Sequence, residues 1–275
     1  MNRPFAYTSF YYDQPPQDGR ALDFWLPPIS NIKPLTLCFV HGGGWRQGRR
    51  DQMHEIMMPF FRQGYACVSL DYRLKKVDPA VQVSDLREGM ALVNDLLRER
   101  GFAQPLVLFG SSAGGHLALL AGLAAPGACG DDFTGVMPEV AGIVASCAPI
   151  TLEPWDEIFP GSWDSICDFV GAPYDQEPER YRRFSPLTYG SPEAPPLFFL
   201  LADSEHMFPN AKTIEWAREL RAAGVQAEHR VYPNAEHGFF YALTRQSQQM
   251  ALADLLGFLQ SLEPAAVEMN SYGKQ

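Results

Sequence analysis

Short runs of apolar residues recur along the chain, and most of them are apolar throughout rather than alternating with polar residues. They cover residues 35–40, 66–70, 106–109, 141–146, 197–201 and 228–232. Strands of this composition are typical of a parallel sheet that is covered on both faces. Helical patterns lie between the runs, at residues 85–100, 113–125, 211–223 and 248–262. The alternation of strands and helices therefore predicts an α/β protein with a doubly wound sheet.

The first and the middle parts of the chain depart from this alternation. Residues 5–12 and 21–26 are separated by a turn-rich segment, so we expect them to pair as antiparallel strands at one sheet edge. This gives eight strands in a single domain that spans residues 1–275. After the sixth strand, residues 149–196 contain no clear strand and are rich in proline and aromatic residues. Such a long connection is often a lid or a binding loop, and the alternative is a packed excursion over one end of the sheet.

The composition disfavours several classes of partner. The chain carries 22 basic and 32 acidic side chains, for a formal net charge of −10. Because no long basic cluster occurs, nucleic acids and anionic membranes are poor partners. No stretch is long and apolar enough to span a bilayer, and the N-terminal residues do not form a signal-peptide pattern. The five cysteines contain no CxxC pair. We therefore expect reduced thiols and a cytoplasmic protein, with the oligomeric state open and a homodimer as one option.

The strongest chemical signal is the stretch LVLFGSSAGGHLALL at residues 106–120. It contains the pattern G-x-S-x-G after an apolar strand and before a helix, which is the context of a serine nucleophile on a tight strand-to-helix turn. Small residues two positions before and after the serine let neighbouring backbones approach. The N-terminus of the following helix favours a developing negative charge. The spacing identifies Ser112, rather than its neighbour Ser111, as the candidate nucleophile.

A serine hydroxyl needs a base, and His237 is the candidate because it lies in a loop after the last predicted strand. Structural roles fit other histidines better: His229 lies within a strand, and His116 lies on the helix after the nucleophile. The base in turn needs an acid that follows the preceding strand. The residues alone leave two candidates for it, Asp203 and Glu205.

Several motifs resemble those of one group of enzymes. They are HGGGW at residues 41–45, DYRL at 71–74, GSSAGGHLA at 110–118, SPL at 185–187 and VYPNAEHGF at 231–239. The chain resembles serine esterases of the α/β-hydrolase fold, in the hormone-sensitive-lipase-like group with its feruloyl-esterase and kynurenine-formamidase-like relatives. The resemblance is specific for the superfamily and much less so for the substrate. It implies an α/β-hydrolase fold with an eight-stranded, mostly parallel sheet, and a triad of serine, histidine and an acid.

The resemblance also favours one of the two acids. In this group the acid typically stands in a small-x-x-Asp-x-x-apolar-Pro pattern. Residues 202–209 match this pattern with Glu205 in the position of the acid, so the chain departs from the usual aspartate. Glu205 is therefore the first choice and Asp203 the second, and the other carboxylate is available to cap the following helix.

The HGGGW motif resembles the oxyanion loop of the same group. The resemblance implies that the N–H groups of Gly43 and Gly44 face the oxyanion, with Ala113 as the third donor. A glycine at such a position lets bare backbone approach a substrate, which a Cβ would obstruct. His41 and residues 71–73 are expected to form a structural network around this loop rather than to take part in catalysis.

Aromatic residues of the 149–196 segment and residues near the motifs are candidates for the substrate pocket. We expect its lining to include Trp45, Ser111, Trp155, Phe159, Trp163 and Phe239. For Trp45 the alternative is plain core packing. No group of His, Cys, Asp and Glu has metal-ligand spacing in the sequence, so neither a metal nor another cofactor is expected.

The leading interpretation is a serine hydrolase that cleaves carboxylic esters of small or medium-sized substrates through an acyl-enzyme intermediate. An alternative is the same triad acting on a formamide, since the HGGxW form also resembles kynurenine-formamidase-like enzymes. A small-molecule-binding protein without catalysis is disfavoured, because a serine, a histidine and an acid all occur at suitable places.

Overall fold

The computed structural model describes residues 7–74 and 76–264, and one eight-stranded sheet forms its centre. The strands are β1 (Thr8–Tyr11), β2 (Ala21–Trp25), β3 (Thr36–Val40), β4 (Ala66–Leu70), β5 (Leu106–Ser111), β6 (Val140–Ser146), β7 (Leu197–Ser204) and β8 (Ala227–Glu236). Their order across the sheet is β1-β2-β4-β3-β5-β6-β7-β8. β1 is antiparallel to β2 and β2 to β4, whereas the remaining pairs are parallel. The predicted α/β sheet with an antiparallel edge is confirmed, although residues 5 and 6 of the predicted first strand lie outside the described residues.

The described residues form seven α-helices, of which the first six lie between strands and the last follows β8. They are α1 (His54–Arg62), α2 (Pro79–Glu99), α3 (Ala113–Leu123), α4 (Pro160–Val170), α5 (Pro178–Arg183), α6 (Asn210–Ala222) and α7 (Gln246–Leu262). α2 begins earlier than predicted because Asp78 caps it: its carboxylate accepts a hydrogen bond from the Ala80 N–H at 2.9 Å, and Pro79 occupies the first turn. Among the described residues, no helix is long and apolar enough to cross a membrane.

The sequence patterns did not predict α1. This helix is only nine residues long and contains Pro59, a residue that normally interrupts a helix. Its buried residues Ile56, Met57 and Phe60 recur at helical spacing and pack against the sheet, and this burial sustains the helix in spite of the proline.

The core has two layers, one on each face of the sheet. Side chains alternate between them along β3: Cys38 and Val40 belong to one layer, and Leu37 and Phe39 to the other. Helices α2, α3 and α6 contribute to the first layer, and α1 and α7 to the second. Both faces are therefore covered, as the continuous apolar strands predicted.

Residues 149–196 form α4, α5 and a 3₁₀ turn at Pro186–Tyr189, without a strand. Phe169, Tyr181 and Phe184 are buried in the same core layer as α2 and α3. The Ser185 hydroxyl accepts a hydrogen bond from the Leu152 N–H at 2.8 Å, which ties the two ends of the segment together. Much of the segment is thus packed on the body of the domain.

Candidate active site

Adjacent parallel strands end at the same edge of the sheet, and the candidate site lies there. The HGGGW loop follows β3, Ser112 follows β5, Glu205 follows β7 and His237 follows β8. Since the carboxyl ends of parallel strands meet at one edge, residues that are distant in the sequence converge on a small volume. The sheet order β3-β5-β6-β7-β8 brings the loop, the serine, the acid and the histidine together.

Ser112 occupies a backbone conformation that few non-glycine residues adopt, with φ of 53° and ψ of −123°. Its flanking glycines make this turn possible. A Cβ on Gly110 would lie 2.2 Å from the Gly114 carbonyl oxygen, and one on Gly114 would lie 2.3 Å from the Val40 carbonyl oxygen. The strand-to-helix turn is therefore tight on both sides of Ser112, and its N–H is fixed by the Ser146 carbonyl at 2.8 Å.

The side chains of Ser112, His237 and Glu205 form a continuous line of hydrogen bonds. Nε2 of His237 lies 2.8 Å from Oγ of Ser112. Nδ1 of the same ring lies 3.0 Å from Oε1 and 2.9 Å from Oε2 of Glu205. The imidazole is therefore held between a hydroxyl and a carboxylate. This geometry lets the ring accept a proton at Nε2 while the carboxylate balances the charge at Nδ1.

Asp203 has different partners. Its carboxylate accepts hydrogen bonds from the backbone N–H groups of Asn234 at 2.8 Å and Ala235 at 3.0 Å. Hydrogen bonds from these N–H groups, that of Asn234 first, lower the pKa of Asp203 below its usual value. Asp203 thus fastens the end of β8 just before His237, whereas Glu205 contacts the imidazole itself.

The carboxylate of Glu205 is almost completely buried and well supplied with donors. Its side chain is 2% exposed, and Oε1 accepts hydrogen bonds from the N–H groups of Met207 at 2.8 Å and Phe208 at 3.4 Å. Burial by itself would raise the pKa of Glu205, but the hydrogen bond and charge of His237 and the Met207 N–H outweigh it and lower the pKa. Glu205 therefore remains ionised at neutral pH, as a partner of an imidazolium must.

The HGGGW loop makes a tight turn at Gly43, whose φ is 121°. The Gly43 carbonyl accepts hydrogen bonds from the N–H groups of Arg46 at 3.3 Å and Gln47 at 3.1 Å. A Cβ on Gly43 would lie 2.0 Å from the Gln47 carbonyl oxygen, so only glycine fits this turn. Gly44 is also left-handed, with φ of 58°, but the space around its Cα is open.

Three N–H groups near Ser112 are available to an incoming group. No hydrogen bond within residues 7–74 and 76–264 uses the N–H of Gly43, Gly44 or Ala113. By contrast, the N–H of Gly42 donates to the hydroxyl oxygen of Tyr241 at 2.7 Å. In the loop, the Gly42 N–H is therefore anchored, whereas the N–H groups of Gly43 and Gly44 are unused within the described part of the chain, like that of Ala113 at the start of α3.

His41 and Tyr72 support the loop from below. The two rings stack with centroids 4.5 Å apart, and the Tyr72 hydroxyl donates to the His41 carbonyl at 3.0 Å. The His41 ring also contacts the Gly42 carbonyl, with 2.8 Å between Nδ1 and the oxygen. Asp71 accepts a hydrogen bond from the Arg50 N–H at 2.8 Å, beyond the far end of the loop. These contacts fit the structural network that the resemblance implied.

Comparison with known proteins places the chain in a family. The BD-FAE family model matches residues 22–220, which is well over half of the chain. The chain belongs to the BD-FAE family. A model of the dienelactone hydrolase family also matches residues 184–262 of this BD-FAE member.

Its curated relatives share less than 30% identity with this chain and are longer than it. Esterase LipQ of Mycobacterium tuberculosis is 28% identical over 248 residues, which cover 86% of this chain and 59% of that protein. Acetylxylan esterase of Xylanibacter ruminicola is 25% identical over 255 residues, which cover 91% of this chain and 50% of that protein. The chain therefore spans between one half and three fifths of the length of these relatives.

Solved structures share the fold of this BD-FAE member. Esterase B from Lactobacillus Rhamnosis superimposes with a TM-score of 0.80 at 19% identity, covering 94% of this chain and 85% of that one. A thermophilic esterase from Thermogutta terrifontis, with butyrate bound, gives a TM-score of 0.77 at 20% identity and covers 95% of this chain and 96% of that one. The predicted α/β-hydrolase fold is thereby confirmed. The predicted resemblance to esterases is confirmed by the family match and by the curated relatives.

The residues predicted to line the substrate pocket are scattered. Trp45 is buried in the core, where its ring stacks on Phe169 with centroids 4.4 Å apart. Ser111 is fully buried at the end of β5, and Phe239 is buried against Tyr232 and Phe240 in the opposite core layer. Phe239 therefore has a packing position, and we do not retain it as a pocket residue.

The aromatic residues of the 149–196 segment divide into two groups. Trp163 packs within the segment, against Tyr181, and Phe159 is 53% exposed. Trp155 is linked to His237 through Phe208: the rings of Trp155 and Phe208 have centroids 6.1 Å apart, and the ring of Phe208 lies 5.6 Å from that of His237. Of these three residues, Trp155 is the one connected to His237 by a chain of ring contacts.

Two cavities border the HGGGW loop of this BD-FAE member. One, of about 310 Å³, is lined by Gly44, Trp45, Arg46, Val77 and Phe169, among others. The other, more open and about 630 Å³, is bordered by Gly42, Gly43, Gln47 and Tyr241, among others. Glycines of the loop therefore border both cavities: Gly44 borders the smaller one, and Gly42 and Gly43 border the larger one.

Three residues of the site were not predicted from the sequence. Tyr241 anchors Gly42, Phe208 packs on the ring of His237, and Cys147 follows β6 beside Glu205. The one available signal was position: Cys147 directly follows a strand, and Tyr241 lies four residues after His237.

Cys147, Glu205 and His237 together have the ligand types of a metal site. One potential ligand atom from each lies within 4.8 Å of the others. Two of the three are already partners in the line of hydrogen bonds to Ser112. These hydrogen bonds occupy both ring nitrogens of His237 and the carboxylate of Glu205.

Proposed function

We propose that this chain is a serine hydrolase that cleaves carboxylic esters of small or medium-sized substrates through an acyl-enzyme intermediate. The observation that carries the proposal is the line from Ser112 Oγ through His237 to the buried carboxylate of Glu205. The names of the relatives agree with it, since LipQ and the Xylanibacter ruminicola protein are both called esterases.

In the acylation half of the reaction, Oγ of Ser112 attacks the ester carbonyl carbon while Nε2 of His237 takes the hydroxyl proton. The 2.8 Å separation of these two atoms suits a direct transfer. The imidazolium that results is stabilised at Nδ1 by the carboxylate of Glu205. When the tetrahedral intermediate collapses, the ester C–O bond breaks and the alcohol leaves with the proton from Nε2.

The negative charge on the tetrahedral intermediate would be bound by the N–H groups of Gly43, Gly44 and Ala113. Preorganised donors of this kind act without reorganisation and are typically worth about 10²–10³ in rate each. Ala113 is the first residue of α3, so the positive end of the helix dipole supports its contribution.

In the deacylation half, His237 takes a proton from a water molecule, and the hydroxide attacks the acyl carbon. The second tetrahedral intermediate collapses with cleavage of the bond to Ser112 Oγ, which recovers the proton from Nε2. The products are the carboxylic acid and free enzyme, so all atoms and protons balance.

The size of the substrate is suggested by the spaces beside the loop. The cavity of about 310 Å³ is bordered by Gly44 and has a mixed lining that includes the aromatic Trp45 and Phe169 and the basic Arg46 and Lys76. A cavity of this volume suits a group of small to medium size. We propose it as the place where one side of the ester bond is held.

A fluorophosphonate probe together with p-nitrophenyl esters tests the proposal. Wild-type protein should be labelled at Ser112 and hydrolyse p-nitrophenyl acetate and butyrate, and the folded Ser112→Ala variant should do neither. Folded wild-type protein that neither reacts with the probe nor turns over these esters would overturn the proposal. N-formylkynurenine is the comparison substrate: a much higher kcat/KM for this formamide than for every ester would replace the esterase assignment by the amide one.

A further inference from the structure

One buried residue next to the triad has no role in the mechanism above. Cys147 directly follows β6, the strand that lies between β5 and β7 in the sheet. Its N–H donates to the Leu200 carbonyl on β7 at 2.9 Å, and the residue is 2% exposed. It is therefore fixed between the strand that precedes Ser112 and the strand that precedes Glu205.

The backbone of Cys147 is strained. Its φ is 48°, in the left-handed region that side chains with a Cβ rarely adopt. Glycine would occupy this conformation without a Cβ clash, so the backbone geometry gives no reason for a cysteine. Strain of this kind persists where the surrounding structure demands it, and it often occurs at functional sites.

The thiol is the part of the residue that lies beside the proposed triad. Its sulfur, one carboxylate oxygen of Glu205 and one ring nitrogen of His237 all lie within 4.8 Å of one another. The nearby Cys147 thiol is the last of the groups that lower the pKa of Glu205, after His237 and the Met207 N–H. Burial, followed by the charge of Glu205, raises the pKa of the Cys147 thiol to about 12. The thiol is therefore protonated at neutral pH and is a donor.

We propose that Cys147 is a positioning residue, whose thiol holds the carboxylate of Glu205 in place against the imidazole of His237. This inference rests on the proposed function, because it assigns a role relative to the triad. A glutamate has one more rotatable bond than the aspartate usual at this position and needs more contacts to be fixed. The Met207 and Phe208 N–H groups hold the carboxylate from the loop, and the thiol holds it from β6.

Three variants of Cys147 distinguish the effect of the thiol from the effect of the strained backbone. Cys147→Ala removes the donor, Cys147→Gly removes it and also relieves the left-handed strain, and Cys147→Ser keeps a donor. We expect kcat for p-nitrophenyl butyrate to fall roughly 10-fold to 100-fold in the alanine and glycine variants, as for the loss of one hydrogen bond to a charged group. KM should change little, because the thiol does not touch the substrate. Cys147→Ser should restore most of kcat.

The matched control is Cys67→Ala. Cys67 lies on β4 and is also fully buried, and its thiol contacts the carbonyls of Met57 on α1 and of Tyr65. This variant should keep the wild-type kcat whatever its effect on thermal stability. The rate of phosphonylation of Ser112 by the fluorophosphonate probe should follow kcat, because it reports the activation of Ser112 independently of substrate binding.

The outcomes distinguish this inference from the proposed function. If wild-type protein hydrolyses esters and the folded alanine and glycine variants keep its kcat and phosphonylation rate, Cys147 has only a packing role and the inference is wrong. It is equally wrong if the serine variant is no more active than the alanine variant. A wild-type protein without ester hydrolysis or labelling would instead refute the proposed function itself.

Discussion

The carboxylate of Glu205 lies 2.9 Å from Nδ1 of His237, although 32 positions separate the two residues in the chain. Two neighbouring parallel strands, β7 and β8, make this contact possible because they end at the same edge of the sheet. Asp203, two residues earlier, binds instead the backbone that leads to His237. The two carboxylates therefore have different roles: Glu205 contacts the imidazole, and Asp203 fixes the backbone just before His237.

This division predicts different effects for two conservative substitutions. Glu205→Gln should lower kcat for a p-nitrophenyl ester by about 10³–10⁴, because the amide no longer balances an imidazolium or fixes its tautomer. Asp203→Asn should keep most of the activity, since the side chain is exposed and retains one oxygen that can accept from Asn234 or Ala235. Steady-state kinetics on the two folded variants provides the measurement. The reverse ranking would make Asp203 the acid and refute the assignment of Glu205.

These residues show how much of the candidate site could be predicted from the sequence. Ser112 and His237 were recognisable because each stands in a local pattern, a strand followed by G-x-S-x-G and a strand followed by EHGF. Asp203 and Glu205 both follow β7, so the residues alone did not separate them. The partners of the two carboxylates depend on how the ends of β7 and β8 pair. The register of this pairing shifts between Ala202 and Ser204 of β7. That shift has no local signature.

Other features depend even more on tertiary packing. Cys147 and Tyr241 touch the site because of where β6 and the segment after β8 end in space, and a cysteine or tyrosine carries no motif of its own. Phe239, two residues after His237, was expected to line the pocket, but its side chain packs in the opposite core layer. Closeness to the EHGF motif in the sequence was therefore a poor guide to the pocket lining, because the turn after β8 directs the Phe239 side chain into the core.

The two central glycines of HGGGW should differ in their tolerance of a methyl group. Gly43→Ala places a Cβ 2.0 Å from the Gln47 carbonyl oxygen and should distort the loop, with a fall in kcat of about 10²–10³. Gly44→Ala meets nothing closer than 3.9 Å and keeps a conformation that costs an alanine about 1–2 kcal/mol, so its loss of kcat should be smaller. Kinetics with circular dichroism on both variants tests the ranking. Equal losses in kcat would argue against a loop that acts through its backbone geometry.

Tyr241→Phe should weaken the loop from its first glycine. The Tyr241 hydroxyl accepts the Gly42 N–H at 2.7 Å, and its removal leaves that partly buried donor without its partner, at a cost of about 1–3 kcal/mol. We expect a lower midpoint of urea unfolding and a lower kcat, with the larger relative effect on kcat if Gly42 positions the adjacent donors. Tyr232→Phe is the matched control, since the Tyr232 hydroxyl binds Asp254, on α7. A Tyr241→Phe variant that loses stability but no kcat would limit Tyr241 to a structural role.

His116 links the HGGGW loop to the 149–196 segment. Nδ1 of His116 accepts a hydrogen bond from the Trp45 indole at 3.1 Å, and Nε2 lies 2.7 Å from the Phe184 carbonyl oxygen. A neutral ring with its proton on Nε2 satisfies both partners, whereas a second proton on Nδ1 would break the contact with Trp45. Burial accordingly lowers the pKa of His116 to about 4.

This buried histidine predicts an acid-labile fold over a defined pH range. Because the pKa of His116 is lower in the folded protein, the unfolded chain binds the additional proton. The stability that the neutral His116 ring contributes is fully present above pH 6.5 and is lost as the pH falls towards about 4. The loss amounts to roughly 3 kcal/mol of unfolding free energy, at 1.36 kcal/mol for each pKa unit. Urea unfolding of wild type and His116→Gln at pH 7.5, 5.5 and 4 measures it: the difference between the two proteins should shrink on acidification. Parallel stability curves across this range would mean that His116 is not held neutral by the fold.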